Sequence, residues 1–420
     1  MRIDGRGHGT LLKYAQMLVR PTQLYMVSLA LTGLGSLGTV VLPAGERGDL
    51  AASIVSATLG ASIGGFSVDT FLLSRPSGWV VNRGRWWILL ILVGCVLASS
   101  GVAVALTAAG GIGSYSIAVC GAAALTVFNA CASLMLRIER FAYVYAMRSL
   151  GGAVLIAGYA ALYLAGNRSG DQWSDAWLAS QVLAAITLVI PVLRRARGFG
   201  LGPDGQPAAD YSAAGRTKDL TAIGKLHVGI AAQMFTFRLN QIILARFAGA
   251  GPLGVYALAV AALEFAQSSA VITAQKILAD RGNTDEQAAA TPVVKAAPIV
   301  KATLTLGVLA VVGLAALGLL KPDYSQAALL GMILLPGAVA VALGKAWSAA
   351  LLKQGGEQAT TNVALIALAV AVPSYVILIP WIGAVGAAAA SSFAYAVHAY
   401  GSFVSLKKRK RQTLLAHGMA

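Results

Sequence analysis

The longest apolar runs of the chain decide what it can fold into. One of them extends from Trp86 to Gly111 without a single charged side chain. A helix of about 20 apolar residues is long enough to cross the roughly 30 Å hydrocarbon layer of a bilayer. Further runs of similar length follow one another along the sequence. The sequence therefore predicts an all-α, polytopic membrane protein.

The charged residues agree with this prediction. They make up only 11% of the 420 residues, whereas an ordinary soluble domain has about 25%. The net charge of +16 would suggest a nucleic-acid partner in a soluble protein, but the basic residues lie between the apolar runs. The basic tail at 407–411 follows the last run directly, where Lys and Arg side chains meet anionic lipid. We expect contact with membrane lipids and no nucleic-acid partner.

Hydropathy predicts twelve transmembrane spans, which gives a bundle of about 12 helices. The first is too long for a cleaved signal peptide and is interpreted as a span. An even number of spans places both termini on the same side of the membrane. The predicted spans are 22–43, 50–73, 87–109, 114–135, 144–166, 177–193, 226–248, 252–275, 298–320, 326–351, 362–380 and 382–404.

The basic residues indicate which side this is. Most of the 32 Lys and Arg residues, Arg148 included, fall on the side of the termini, whereas the opposite side has only Arg47, Arg168 and Lys321. By the positive-inside rule, both termini are predicted to be cytoplasmic.

A polar stretch from Arg194 to Lys225 divides the spans into two sets of six. Duplicated halves around a central site are common in secondary transporters, where the halves rock to open the site to each side in turn. We therefore predict two pseudo-symmetric six-helix lobes. The predicted domains are an N-terminal lobe at 1–200, a cytoplasmic linker at 201–222, a C-terminal lobe at 223–406 and a basic tail at 407–420.

The motifs of common enzymes do not occur in the sequence. It has no phosphate-binding G-x-x-x-x-G-K-[ST] loop, no His/Glu zinc motif, and only four histidines from which to build a catalytic set. We therefore expect no enzymatic activity, no cofactor and no metal.

Two charged residues are predicted at bilayer depth, where an ionisable group is expensive and is by default a candidate site. Arg238 and Glu264 lie 12 residues before and 14 residues after Ala250, in the turn between the seventh and eighth spans, so both are about 20 Å from that turn. The other candidates, Asp69, Arg246 and Lys345, fall near span ends, where a charged group can reach water. They are interpreted as structural.

Two interpretations of this pair remain open. It is either a structural ion pair or a site in which Arg238 binds an anionic headgroup through its planar fork of donors. In the second case Glu264 is the counter-ion or a coupling site. Asn240 and Gln241, close by on the same span, are further candidates for substrate binding.

Two segments carry a resemblance to a known family. They are Phe237–Ala261, with its Arg, short Gly turn and Gly-x-Tyr-x-x-Ala, and Leu351–Tyr395, with its Ile-Pro and Gly-x-x-Gly-Ala-Ala. Together they resemble the polysaccharide exporters of the multidrug/oligosaccharidyl-lipid/polysaccharide superfamily, particularly the O-antigen (Wzx-type) flippases. Among cavity residues, the resemblance carries over only Arg238. Many relatives have Asp where this chain has Asn240, which argues against proton coupling there.

The resemblance implies a bacterial inner-membrane flippase that moves an undecaprenyl-diphosphate-linked oligosaccharide to the outer leaflet for surface polysaccharide such as lipopolysaccharide or exopolysaccharide. Its implied partners are a polysaccharide polymerase and a chain-length regulator. The main alternative is a cation-coupled multidrug antiporter of the same fold. A lipid II flippase usually has two further spans, and a membrane-embedded glycosyltransferase usually has acidic motifs in longer outer loops. A scaffold that transports nothing is the remaining alternative.

Overall fold

The computed structural model describes residues 21–70, 84–137, 140–195, 213–279 and 294–416. Within these ranges the chain is helical apart from short turns, and no strand occurs. The N-terminal lobe consists of α1 Pro21–Gly38, α2 Ala44–Gly64, α3 Gly84–Gly110, α4 Tyr115–Arg137, α5 Phe141–Leu164 and α6 Gly170–Arg195. The C-terminal lobe consists of α7 Ala213–Ala248, α8 Ala250–Ala266, α9 Ser268–Ala279, α10 Ala296–Leu320, α11 Ala327–Lys353 and α12 Glu357–Ala416.

The predicted all-α bundle of about 12 membrane helices is confirmed. In the described ranges, nine helices are long and apolar enough to cross a bilayer, or ten when the bent pair α8 and α9 counts as one span. The eleventh pass is α2, whose first turns contain Glu46, Arg47 and Asp49. The twelfth arises because α12 crosses twice.

α12 must fold back, because 60 helical residues would extend over about 90 Å. Its backbone leaves the helical conformation at Ile382 and Gly383, and Gly383 has a φ of 57°, which glycine adopts without steric cost. After this turn the chain runs back on itself, so that a Cβ atom on Gly401 would lie 3.0 Å from the side chain of Val363. The predicted turn between the last two spans is therefore found at its expected place.

Two spans differ from their predicted form. α2 starts at Ala44 rather than at residue 50, and it ends at Gly64, followed by a turn in which Phe66 and Ser67 have positive φ values. The hydropathy-based prediction left the charged first turn of α2 out of the span. In the structure, hydrogen bonds satisfy the charged groups of this turn. The eighth predicted span is bent by 51° where α8 meets α9, at Gln267.

The domain boundaries remain predictions. Residues 201–212 lie outside the described residues, and α7 already begins at Ala213, within the predicted linker. α12 continues through the basic residues 407–411 as far as Ala416, so the described part of the tail extends the last helix.

The two lobes meet along α2. This helix packs against α3 and α4 in its own lobe and against α7 and α8 in the other. We call the face at which α1 begins and α12 ends the terminal face, and the opposite one the far face. The far face contains the turns that follow α1, α7 and α10. At this face Lys321 donates to the carbonyl oxygens of Val40 and Val41 at 3.0 and 3.2 Å, and Tyr324 donates to that of Leu42 at 2.8 Å.

Candidate functional site: a cationic cavity between the lobes

A cavity of about 380 Å³ lies between the two lobes. The N-terminal lobe contributes α1, α2, α4, α5 and α6 to its wall, and the C-terminal lobe contributes α7 and α8. The volume lies within the range of about 300–1,000 Å³ that is usual for small-molecule sites. We call it the central cavity.

The charged groups of this wall are mostly cationic. Among the described residues that line the central cavity, three are arginines, Arg47, Arg148 and Arg238, and Glu264 is the only carboxylate. At about 1.5 Å per helical residue, Arg47 lies about 5 Å from the far-face end of its helix, Arg238 about 15 Å and Arg148 about 24 Å. The cavity therefore presents positive charge at three depths. Neutral polar side chains line the same wall: Thr32, Ser36, Thr39, Thr58, Ser62, Asn129, Gln181 and Gln241.

Arg238 and Glu264 form an ion pair across α7 and α8. The Nη2 atom of Arg238 lies 2.6 Å from the Oε1 atom of Glu264, so the matched depth predicted by counting along the two spans is confirmed. The exposed fraction is 24% for the Arg238 side chain and 45% for the Glu264 side chain. The pair is therefore structural and cavity-facing at once, and a ligand in the central cavity can reach both partners.

The other two predicted site residues lie in different environments. Gln241 follows Arg238 by three positions, which places both on the same face of α7. It lines the central cavity and is only 2% exposed, and its Nε2 atom has no hydrogen-bond partner among the residues that the structure describes. Asn240 lies on another face, is fully buried, and donates to the Tyr256 Oη at 2.5 Å and the Ser391 Oγ at 2.6 Å. It is not among the residues that line the cavity, so the geometry favours a packing role for it.

Sequence reasoning missed Arg47, which it assigned to an outer loop. The side chain is 4% exposed. Its Nε donates to the Thr39 Oγ1 at 2.8 Å, and its Nη1 donates to the carbonyl oxygen of Gly254 in α8. Arg47 thus forms the far-face floor of the central cavity and connects the lobes.

Arg148 was counted with the basic residues of the terminal side. In the structure it lies in α5, seven residues after Phe141, and lines the terminal-face end of the central cavity. Its guanidinium carbon lies 5.9 Å from the centre of the Phe128 ring, within cation–π range. The sequence did contain a signal, because Arg148 falls inside the predicted span 144–166.

Lys345 is the third basic residue that was placed differently. It was expected to reach water at a span end. Instead it lines a second cavity of about 220 Å³ within the C-terminal lobe, and its Nζ donates to the Gln267 Oε1 at 3.0 Å. Arg238 and Glu264 line this second cavity as well as the central one. The ion pair therefore forms part of the boundary between the two.

Comparison with solved structures assigns the fold. A structure described as the lipid II flippase MurJ in an inward closed conformation is similar over 93% of this chain and 91% of its own, with a TM-score of 0.57 and 13% identity. An inward-facing multidrug resistance MATE family transporter of the MOP superfamily has a TM-score of 0.56 over 93% and 94%, also at 13% identity. This chain therefore shares the overall fold of these two structures.

A third neighbour is a MATE protein in the bent conformation, with a TM-score of 0.58 over 94% of this chain and 97% of the other, at 12% identity. No protein-family model and no curated protein matches the sequence. At this identity the likeness shows the fold of a multi-pass membrane protein, and the function has to be argued from the site.

Proposed function

We propose that this protein is a flippase for a lipid-linked oligosaccharide, which it moves from the cytoplasmic to the outer leaflet of a bacterial inner membrane by alternating access. The observation that carries the proposal is the charge of the central cavity. Three arginines and one paired carboxylate leave a net charge of +2 on its described wall. Such a wall suits an anion of high charge, and a lipid diphosphate headgroup has that chemistry.

The type of basic residue supports a phosphate ligand. Guanidinium groups offer a planar fork of donors that matches phosphate oxygens, whereas an ammonium acts as a point charge. All basic groups on the described wall of the central cavity are guanidinium groups. The same wall has hydroxyl and amide side chains, which can hydrogen-bond the hydroxyl groups of a sugar.

The competing function is that of a multidrug antiporter of the same fold. It has to be considered because two of the similar structures are MATE proteins. An exporter of organic cations needs free carboxylates in its cavity. The single carboxylate on the described wall, Glu264, is paired with Arg238, and two further arginines would repel a cationic drug. The charge of the site therefore favours the flippase.

In this proposal both termini are cytoplasmic, the far face is the outer one, and the lobes are closed to the outside. Arg148 is then the first cation that a headgroup meets when it enters from the cytoplasmic leaflet. The lipid tail remains in the bilayer, and a polymerase and a chain-length regulator use the delivered oligosaccharide for surface polysaccharide assembly.

The test is a lipid analysis of cells depleted of this protein. We expect a lipid-diphosphate-linked oligosaccharide to accumulate on the cytoplasmic face while surface polysaccharide disappears. Accumulation of lipid II with arrest of wall synthesis would instead assign the substrate of the MurJ neighbour. Unchanged surface glycans together with sensitivity to cationic dyes would replace the proposal by the antiporter.

A further inference from the structure

The second cavity contains a cation that the proposed function does not use. Lys345 projects from α11 into the C-terminal lobe, and its hydrogen bond in the described structure goes to the neutral side chain of Gln267. Within the described residues, no carboxylate lies within 4.0 Å of its Nζ. A cation at this depth is costly unless it has a partner, at least during part of the working cycle.

A carboxylate is available on the same cavity wall. Glu264, in the last turn of α8, precedes Gln267 by three residues, a spacing that places the two side chains on the same side, and both line the second cavity with Lys345. Glu264 is 45% exposed and is the less constrained member of its pair with Arg238. Glu264 therefore lies on one cavity wall with both cations, Arg238 and Lys345.

Arg238 is the cation common to both cavities, whereas Lys345 lines only the second. An anion that enters the central cavity therefore reaches Arg238 while Lys345 stays behind it. When an anion binds the guanidinium, it brings a second negative charge close to Glu264, and the two repel each other in a medium of low dielectric constant.

We infer that Lys345 is the alternative partner of Glu264, and that an anionic headgroup at Arg238 is bound through an exchange of ion pairs. Without ligand, Glu264 forms an ion pair with Arg238, and Lys345 donates a hydrogen bond to Gln267. With ligand, the phosphate binds Arg238, and Glu264 forms an ion pair with Lys345. Without ligand, Lys345 has, among the described residues, only the neutral Gln267 as a partner, whereas with ligand each of the three side chains has an oppositely charged partner. Lys345 acts as a positioning residue for binding and does not itself touch the ligand.

This exchange has a mechanical consequence, because Gln267 is the residue at which α8 bends into α9 by 51°. Lys345 links this bend to α11 through its bond to the Gln267 side chain. Moving the ammonium toward Glu264 shifts that link from the bend to the last turn of α8. Ligand binding between the lobes is thereby connected to a hinge inside the C-terminal lobe.

A double-mutant cycle tests the inference with inorganic pyrophosphate as the probe, on the full chain in detergent at low salt by titration calorimetry. In the wild-type background we expect Lys345→Met to weaken pyrophosphate binding by about tenfold, because it leaves Glu264 unpaired beside the anion. In a Glu264→Gln background, binding should be as strong as in the wild type or stronger. Lys345→Met should then change it by less than about threefold.

Lys353→Met, in the last turn of the same helix, is the matched control and should change binding in neither background. Lys345→Arg keeps the charge and should retain most of the affinity. This variant still tests the inference if the methionine variant does not fold. Equal weakening by Lys345→Met in both backgrounds would mean that Lys345 binds the anion directly, and would overturn the exchange. A wild-type protein that does not bind pyrophosphate would overturn it too.

The inference rests on the proposed function only for the identity of the ligand. If the cycle gives the expected coupling but depleted cells accumulate no lipid-linked oligosaccharide, the exchange stands and the flippase assignment falls. If the lipid accumulates but the two substitutions act independently, the flippase stands and the exchange falls.

Discussion

Arg47 of α2 donates from its guanidinium to the main-chain carbonyl oxygen of Gly254 in α8, so that a side chain of one lobe holds the backbone of the other. The helices are unusually close at this point. A Cβ atom on Gly48 would overlap the carbonyl oxygen of Ala250, and one on Gly254 would overlap that of Ala44. With the bonds from Lys321 and Tyr324, this contact closes the far face, and it has to open if the central cavity is to reach that side.

The close approach gives the first prediction. Gly48→Ala should push α2 and α8 apart at the far face and favour the state that is open on that side. Gly45→Ala is the matched control in the first turn of the same helix, since a Cβ atom there meets nothing within 4 Å. The measurement is the rate at which a membrane-impermeant maleimide, added from the far face, labels Ser36→Cys in a chain without Cys95, Cys120 and Cys131. Equal labelling of the two alanine variants would contradict this account of the closure.

The bond from Tyr324 to Leu42 gives a second prediction for the same closure. Tyr324 is fully buried, so Tyr324→Phe removes only the hydroxyl group and leaves the carbonyl oxygen of Leu42 without this donor. Such a loss costs about 1 kcal/mol, which should raise labelling of Ser36→Cys from the far face by a few fold. The effect should be smaller than that of Gly48→Ala. A decrease in labelling would show that this bond favours the open state.

Arg238 gives the third prediction. In the proposed flippase, Arg238→Ala should abolish flipping while the protein still inserts, because it removes the phosphate fork at mid-depth. Arg238→Lys should restore part of the activity, since it keeps the charge and loses the fork. Arg246→Ala, two turns further along α7 at an exposed position, is the matched control and should flip normally. Surface polysaccharide and inserted protein are measured in the same cells.

Normal polysaccharide with Arg238→Ala would reduce Arg238 to a structural residue. The site would then have to be built around Arg47 and Arg148.

The sequence predicted most of the fold because the bilayer imposes it. Each pass needs about 20 apolar residues with their backbone hydrogen bonds made internally, so spans can be read from hydropathy alone. The matched depth of Arg238 and Glu264 was predictable for the same reason, since rise per residue converts a count from the turn at Ala250 into a depth. Exceptions occurred where polar residues start a helix, as at Glu46 and Arg47.

The rest of the site was not predictable in this way. Depth along a span is a local property, but the cavity that a side chain faces depends on how α2, α5 and α11 pack against other helices. Arg47, Arg148 and Lys345 were therefore assigned to loops or span ends by their distance from the apolar runs. A single sequence gives no information on which side of a helix faces which neighbour, and the lining of both cavities emerged only from the packing of the lobes.

Two adjacent residues on α7 give the last prediction, because they separate packing from binding. Asn240 is fully buried and bonded to Tyr256 and Ser391. Asn240→Leu should therefore lower the free energy of unfolding by about 1–3 kcal/mol and leave the flipping rate per folded molecule almost unchanged. Thermal unfolding in detergent and flipping in reconstituted vesicles, normalised to folded protein, measure the two effects.

Gln241→Leu should give the opposite result. The Gln241 Nε2 atom has no partner in the structure and lies on the wall of the central cavity. Replacing it removes a buried donor that is unsatisfied without ligand, so stability should be unchanged or slightly higher. Flipping should fall by about two- to tenfold, the contribution of one neutral hydrogen bond to a bound headgroup or sugar. If Gln241→Leu destabilised the fold and Asn240→Leu stopped transport, the cavity would have to be assigned to the other face of α7.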